Sequence, residues 1–143
     1  MSSNPVQLLL IEDNLGDIML FRYALDTIGE PYHLHVLQDG EEGLQYVNRH
    51  WGSSGSEPCL IIIDLHLPKC GGLTIVKKLR ESPGLAHIKV AVVTTVASPA
   101  EEAQLALLKV NLYRRKPAEI EEFLKLAQEI LDVCQDAATS VAG

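Results

Sequence analysis

Cysteine is scarce in this chain of 143 residues. Its three cysteines, Cys59, Cys70 and Cys134, are odd in number and show no C-x-x-C spacing. That argues against a disulfide framework or a zinc site and fits a reducing cytoplasm. Each reads as a small core or loop residue. Basic charge is also short: 12 Lys and Arg stand against 19 Asp and Glu, a net charge of -7. Nucleic-acid binders draw their affinity from basic residues facing phosphates, so that class is disfavoured. No apolar run approaches the roughly 20 residues that span a bilayer. The opening MSSNPVQLLLIEDN has no basic n-region and no apolar stretch long enough for a signal peptide. No internal repeat points to a solenoid. The reading is a soluble cytoplasmic protein with no nucleic-acid or membrane partner.

What is present is a single domain's worth of core. Hydrophobic residues make up 47% and charged residues 22%. One domain is expected over 1–143, with its core at about 5–135 and a frayed tail at 136–143. Val6–Ile11 and Lys89–Thr94 are short apolar runs, as is Leu60–Ile63 within CLIIID. Runs with no polar alternation read as strands buried on both faces, as in a parallel sheet. Weaker strands are expected at 33–37 and 111–115. Between them lie helical spacings. Ile18, Phe21, Ala24, Leu25 and Ile28 follow an Asn14 cap, and Gly29 closes that helix. A helix at 41–49 carries Leu44 and Val47 inward. Leu73, Ile75, Val76 and Leu79 mark a third, stopping near Ser82. Ser98-Pro99-Ala100-Glu101 has the pattern of a capping box opening a helix to about residue 109. Ile120 to Cys134 is strongly amphipathic. The Gly- and Ser-rich segment 51–58 is a surface loop, long for an α/β unit.

Five strand–helix repeats predict an open five-stranded parallel sheet with helices on both faces, the (βα)5 flavodoxin-like arrangement. A closed barrel needs eight such units and about 250 residues. In open parallel sheets the chemistry lies beyond the carboxyl ends of the strands. Those ends here carry Glu12 and Asp13, then Asp64, then Thr94 and Thr95, then Lys116 before Pro117. Separately each has a plain explanation: solvated caps, a strand-end hydroxyl, a solvated lysine. Together they make one shallow acidic site. Two like charges about 4 Å apart repel by roughly 4 kcal/mol at an effective dielectric near 20. Three carboxylates should therefore recruit a cation or a proton. A hard divalent ion such as Mg²⁺ fits oxygen ligands of this kind. An acid flanked by Mg²⁺, an ammonium and a hydroxyl can attack phosphorus, giving an aspartyl phosphate.

The constellation resembles the receiver domains of bacterial two-component response regulators along nearly the whole chain. It is carried by Glu12-Asp13, by the D-x-x-x-P-x-x-x-G spacing of Asp64, Pro68 and Gly72, by Thr94 and by Lys116-Pro117. Asp39-Gly40-Glu41-Glu42 also looks like the family's turn into its second helix. The resemblance implies that Asp64 accepts phosphate from a phosphohistidine on a sensor kinase. Mg²⁺ would be held by Glu12, Asp13, Asp64 and the backbone carbonyl of His66. Thr94 and Lys116 would meet the phosphoryl group, with a cis peptide at Pro117. Thr94 and Tyr113 would act as the switch, spreading the response over the fourth helix, fifth strand and fifth helix. That face would dock partners, pass phosphate onward or pair two copies. The implied protein is a stand-alone phospho-accepting signalling protein rather than an enzyme, catalysing only its own phosphotransfer and dephosphorylation. Segment 51–58, Leu67-Pro68-Lys69 and Thr94-Thr95 look most like the single-domain regulators paired with bacterial phytochromes.

Two other readings compete. A pseudo-receiver would keep the fold and act by binding alone, but Asp13, Asp64, Thr94 and Lys116 are all present. An aspartyl phosphatase commonly has a second acid two residues after its nucleophile, where this chain has His66. Glu12 stands where an aspartate is commoner, and Gly71 where many relatives have an acid. Val96 is expected to obstruct the attacking water and prolong the phosphoryl state. Arg114 and Arg115 are unusually polar for a fifth strand. They read either as a charged docking surface, with one arginine paired to an acid of a neighbouring helix or subunit, or as a solvated pair on an edge strand. The five histidines are scattered and read as surface or structural residues.

Overall fold

The computed structural model describes residues 4–49 and 57–135. Ten elements alternate without exception. They are β1 (Val6–Ile11), α1 (Leu15–Ile28), β2 (Tyr32–Leu37), α2 (Gly40–Arg49), β3 (Leu60–Ile63), α3 (Gly72–Glu81), β4 (Lys89–Thr94), α4 (Pro99–Leu107), β5 (Leu112–Arg115) and α5 (Ile120–Gln135). The strands form one sheet in the order β2-β1-β3-β4-β5, every neighbouring pair parallel. The expected five-stranded open sheet is present, and helix ends agree with the sequence within about two residues. Of the expected loop 51–58, only Glu57 and Pro58 are described, and the tail 136–143 lies outside the described residues. Among the described residues, no helix is long and apolar enough to cross a membrane.

Alternation along the strands divides the core in two. Leu8 and Leu10, Leu60 and Ile62, and Ala91 and Val93 face one way, onto α1 and α5. Leu9 and Ile11, Ile61 and Ile63, and Val90 and Val92 face the other, onto α2, α3 and α4. That double burial is why these strands read as unbroken apolar runs. On the first face Phe21 of α1 meets Phe123 of α5 edge to face, their ring centroids 5.2 Å apart. This geometry suits the ring quadrupoles. On the other face Arg80 of α3 acts as a tie. Its guanidinium donates to the carbonyls of Ala86, Ile88, Leu108 and Lys109, so one side chain anchors both the entry to β4 and the entry to β5.

The helix ends follow local chemistry. Asn14 caps α1 by accepting from the Asp17 N–H at 3.0 Å, and Gly29 ends it at φ 90°. Ser98 and Glu101 form the expected reciprocal capping box of α4. The turn into α2 is fixed by close approach. The Gly40 N–H donates to the Pro68 carbonyl at 3.0 Å, and a Cβ at Gly40 would lie 1.5 Å from the Cys70 carbonyl oxygen. Only glycine fits there, so the Asp39-Gly40 turn is a buttress for the loop after β3. Gly40→Ala is therefore expected to lower stability to urea by about 2–3 kcal/mol, as overpacking against a backbone atom does.

Candidate functional site

The sheet order reverses between β1 and β3, and the candidate site lies at the carboxyl edge of that point. Register delivers the residues. Ile11 pairs with Ile63, and the Asp64 N–H donates to the Ile11 carbonyl at 3.2 Å, so Glu12 and Asp64 emerge side by side. Thr94 pairs with Arg115, and the Lys116 N–H donates to the Thr94 carbonyl at 2.8 Å. Residues 104 positions apart in sequence, Glu12 and Lys116, thus meet at 2.9 Å.

Asp64 is 6% exposed, and both its oxygens are engaged. Oδ1 accepts from the Thr94 hydroxyl at 2.9 Å and from the His66 N–H at 3.1 Å. Oδ2 lies 3.1 Å from Lys116 Nζ. Glu12, 2% exposed, places Oε1 2.9 Å from the same ammonium, while Oε2 accepts from the Asn14 N–H at 3.1 Å. Asp13 is exposed beside them. Glu12, Asp13 and Asp64 can each offer one oxygen, all within 4.8 Å of one another. Three hard oxygen donors at that spacing could hold a metal ion, and they suit a hard divalent cation better than a soft one. The loop after Asp64 is shaped by a left-handed Lys69 at φ 72° and by Gly72, whose Cβ position would fall 2.2 Å from the Asp64 carbonyl oxygen.

Charge is finely opposed here. Burial pushes the Glu12 carboxyl above its ordinary value, the Lys116 and Asn14 hydrogen bonds pull it back, and the Asp64 charge adds to the rise. The net direction is upward. Burial alone would lower Lys116, but hydrogen bonds to Asp17, Glu12 and Asp64 outweigh it, and its pKa is raised. The ammonium therefore stays charged.

All the strand-end residues picked from sequence except Thr95, which is exposed, come together here: Glu12, Asp13, Asp64, Thr94 and Lys116. Asp17 is the acid of the first turn of α1, a placement with a sufficient local explanation in the helix dipole. It lies 2.7 Å from Lys116 Nζ, the shortest of that lysine's three ion pairs. Nothing in the sequence links it to a lysine 99 residues on. His66 reaches across the site, its Nε2–H donating to the Val96 carbonyl at 2.8 Å and joining the loops after β3 and β4. The Val96 side chain itself is 59% exposed. The Lys116–Pro117 peptide is trans rather than cis, as are all peptide bonds among the described residues. Trans is the intrinsically favoured state of such a bond. Tyr113 is half-buried on β5 and donates its hydroxyl to Glu102 of α4 at 2.9 Å. Arg114 forks onto Glu129 of α5 at 3.1 and 2.9 Å, as one arginine was expected to pair with a neighbouring helix, while Arg115 is exposed.

An open parallel sheet that gathers carboxylates, a hydroxyl and a lysine at its switch point defines the receiver class of α/β protein. Residues 8–128 match the response regulator receiver domain, and the chain belongs to that family. Its members are signalling proteins with a phospho-accepting role rather than classical enzymes. The chain is 32% identical over 129 residues to a probable methanogenesis regulatory protein, FilR2, of Methanothrix harundinacea, covering 90% of this chain and 83% of that one. It is 30% identical over 130 residues to the response regulator Rcp1 of Synechocystis sp., covering 90% and 88%. Among solved structures, the phosphorylated cyanobacterial phytochrome response regulator RcpA superposes with a TM-score of 0.78 at 29% identity, covering 89% of this chain and 91% of that one.

Lys116→Met should leave its carboxylate partners uncompensated. Near neutral pH, in a chelator, the expected loss of stability is about 2–4 kcal/mol, read from urea unfolding. Without the ammonium, the buried Glu12 binds a proton more readily in the folded protein than in the unfolded chain. The variant thus loses stability as pH rises above the ordinary 4.5 of Glu12 and recovers most of it as pH falls to that value.

Proposed function

We propose that this protein is a response regulator whose Asp64 accepts a phosphoryl group from a phosphohistidine. The observation carrying this is the Asp64 carboxylate, held at once by the Thr94 hydroxyl and the Lys116 ammonium beside Glu12 and Asp13. Attack by an Asp64 oxygen forms a P–O bond as the P–N bond breaks. The electron pair leaves with the imidazole nitrogen. Glu12, Asp13 and Asp64, with the backbone carbonyl of His66, are the proposed ligands of Mg²⁺. When bound, that ion would offset negative charge on the transferring group. Lys116 meets one phosphoryl oxygen and Thr94 another.

The donor would be a sensor histidine kinase or a phosphotransfer protein in the cytoplasm. A phytochrome-like kinase is favoured by the likeness to RcpA, a phytochrome response regulator. One receiver domain is proposed to occupy the chain from about residue 5 to 135.

The switch is a shift of Thr94 toward the phosphoryl group, which costs its present bond to Asp64 Oδ1. Tyr113 then turns inward and gives up Glu102. The surface of α4, β5 and α5 changes, for docking a partner, relaying phosphate or pairing with a second copy. Phosphate biases an equilibrium between two packings rather than creating a new one.

Incubation with acetyl phosphate and Mg²⁺, followed by intact-protein mass spectrometry, tests the reading. A single phosphoryl adduct that is lost in Asp64→Asn and without Mg²⁺ is expected. No adduct on the wild type, or one that persists in Asp64→Asn, overturns it.

A further inference from the structure

Three carboxylates surround Lys116 Nζ: Asp17, which accepts a hydrogen bond at 2.7 Å, and Glu12 and Asp64, ion-paired at 2.9 and 3.1 Å. Its side chain is 10% exposed, so water offers little alternative. The ammonium is enclosed by three anions, and Asp17 holds it by the shortest contact. If Lys116 is to meet a phosphoryl oxygen, one of these pairings must be loosened.

Asp17 differs from the other two. It lies outside the group of Glu12, Asp13 and Asp64 that could hold a metal. A cation there would weaken the hold of Glu12 and Asp64 on the lysine but not that of Asp17. Its own position is also built. Asn14 caps α1, so Asp17 is the third helical residue. A carboxylate at that position commonly turns back to the N–H of the cap residue. Here the Asn14 N–H is taken by Glu12 Oε2, and Asp17 Oδ2 goes to Lys116 instead. The first turn of α1 also favours a negative charge at that position.

We infer that Asp17 is a latch on Lys116, competing with the phosphoryl group for the ammonium and so setting how stable the phosphorylated state is. This deepens the phospho-acceptor reading and rests on it. Asp17 is a positioning residue: it touches neither Asp64 nor the incoming group and acts through the lysine.

Beryllofluoride, a tetrahedral phosphoryl mimic, is the probe, titrated at saturating Mg²⁺ and followed by ¹⁹F NMR, with Mg²⁺ affinity measured separately without fluoride. Asp17→Asn should bind beryllofluoride more tightly than the wild type by about 10-fold or more, the worth of one charge-assisted hydrogen bond no longer opposed. Its Mg²⁺ affinity should change less than about twofold, as expected for a residue outside the metal group. A purely structural role for Asp17 would weaken the mimic, not strengthen it. Asp17→Ser suits a first helical turn and gives the same readout should Asp17→Asn fold poorly. Equal or weaker beryllofluoride binding by the variant overturns the latch. So does a fall in Mg²⁺ affinity matching the gain, because that assigns the effect to lost charge. A wild type that binds no beryllofluoride overturns the phospho-acceptor reading itself, which separates the two failures.

Discussion

The ammonium of Lys116 is what allows the rest of the site to exist. Glu12 and Asp64 are buried carboxylates on adjacent strands, and Asp17 leans in from the first helix. Without a fixed cation between them, burial and mutual repulsion would drive protons on or push the strand ends apart. One lysine removes the conflict because its ammonium lies within 3.1 Å of an oxygen from each of the three carboxylates. A charge so well matched is also hard to move. The same interaction that stabilises the resting site sets the resistance any incoming anion must overcome.

The sheet supplies the precision. Parallel strands in register deliver Glu12 beside Asp64, and Lys116 beside Thr94, through ordinary ladder hydrogen bonds. Apolar packing on both faces holds those ladders, so a shift of one residue would turn both core faces inside out. Loops then refine what strands place. Gly40 seats against Cys70, Gly72 against Asp64, and His66 bridges to Val96, so three separate loops brace one another around the site. Strands in register and braced loops together fix the positions of the site's side chains.

Much of this was legible in the residues, and for physical reasons. Strands buried on both faces leave unbroken apolar runs, so β1, β3 and β4 show clearly. β2 carries exposed His33 and His35 and β5 exposed arginines, and these two edge strands are the faint ones. Glu12, Asp13, Asp64, Thr94 and Lys116 stand out because each directly follows or ends a strand. Asp17 and Arg80 do not, because their partners lie at positions that only tertiary folding brings near. An acid in a first turn and an arginine in a last turn already have local explanations. A sequence reader has no reason to look further. The trans Lys116–Pro117 peptide is the opposite case. There a family habit was carried over where this chain takes the ordinary isomer.

The same logic of occupied partners extends to the outer edge of the sheet. Tyr113 is held by Glu102 on α4 and Arg114 by Glu129 on α5, so neighbouring residues of β5 tie it to both flanking helices. Burial and the Glu102 hydrogen bond both raise the Tyr113 pKa, so the phenol keeps its proton and the tie persists across physiological pH. Arg114 and Arg115 line a groove of about 470 Å³ with Lys125, Glu122 and Glu129, and that groove reaches Lys116 itself. Lys116 therefore belongs to the acidic site on one side and to the edge groove on the other. Lys116 is adjacent to Arg115 and three residues from Tyr113. No long chain of couplings is needed between site and surface. The short β5 is both the mount of the lysine and the exposed rim, and two side-chain ties hold that rim to α4 and α5.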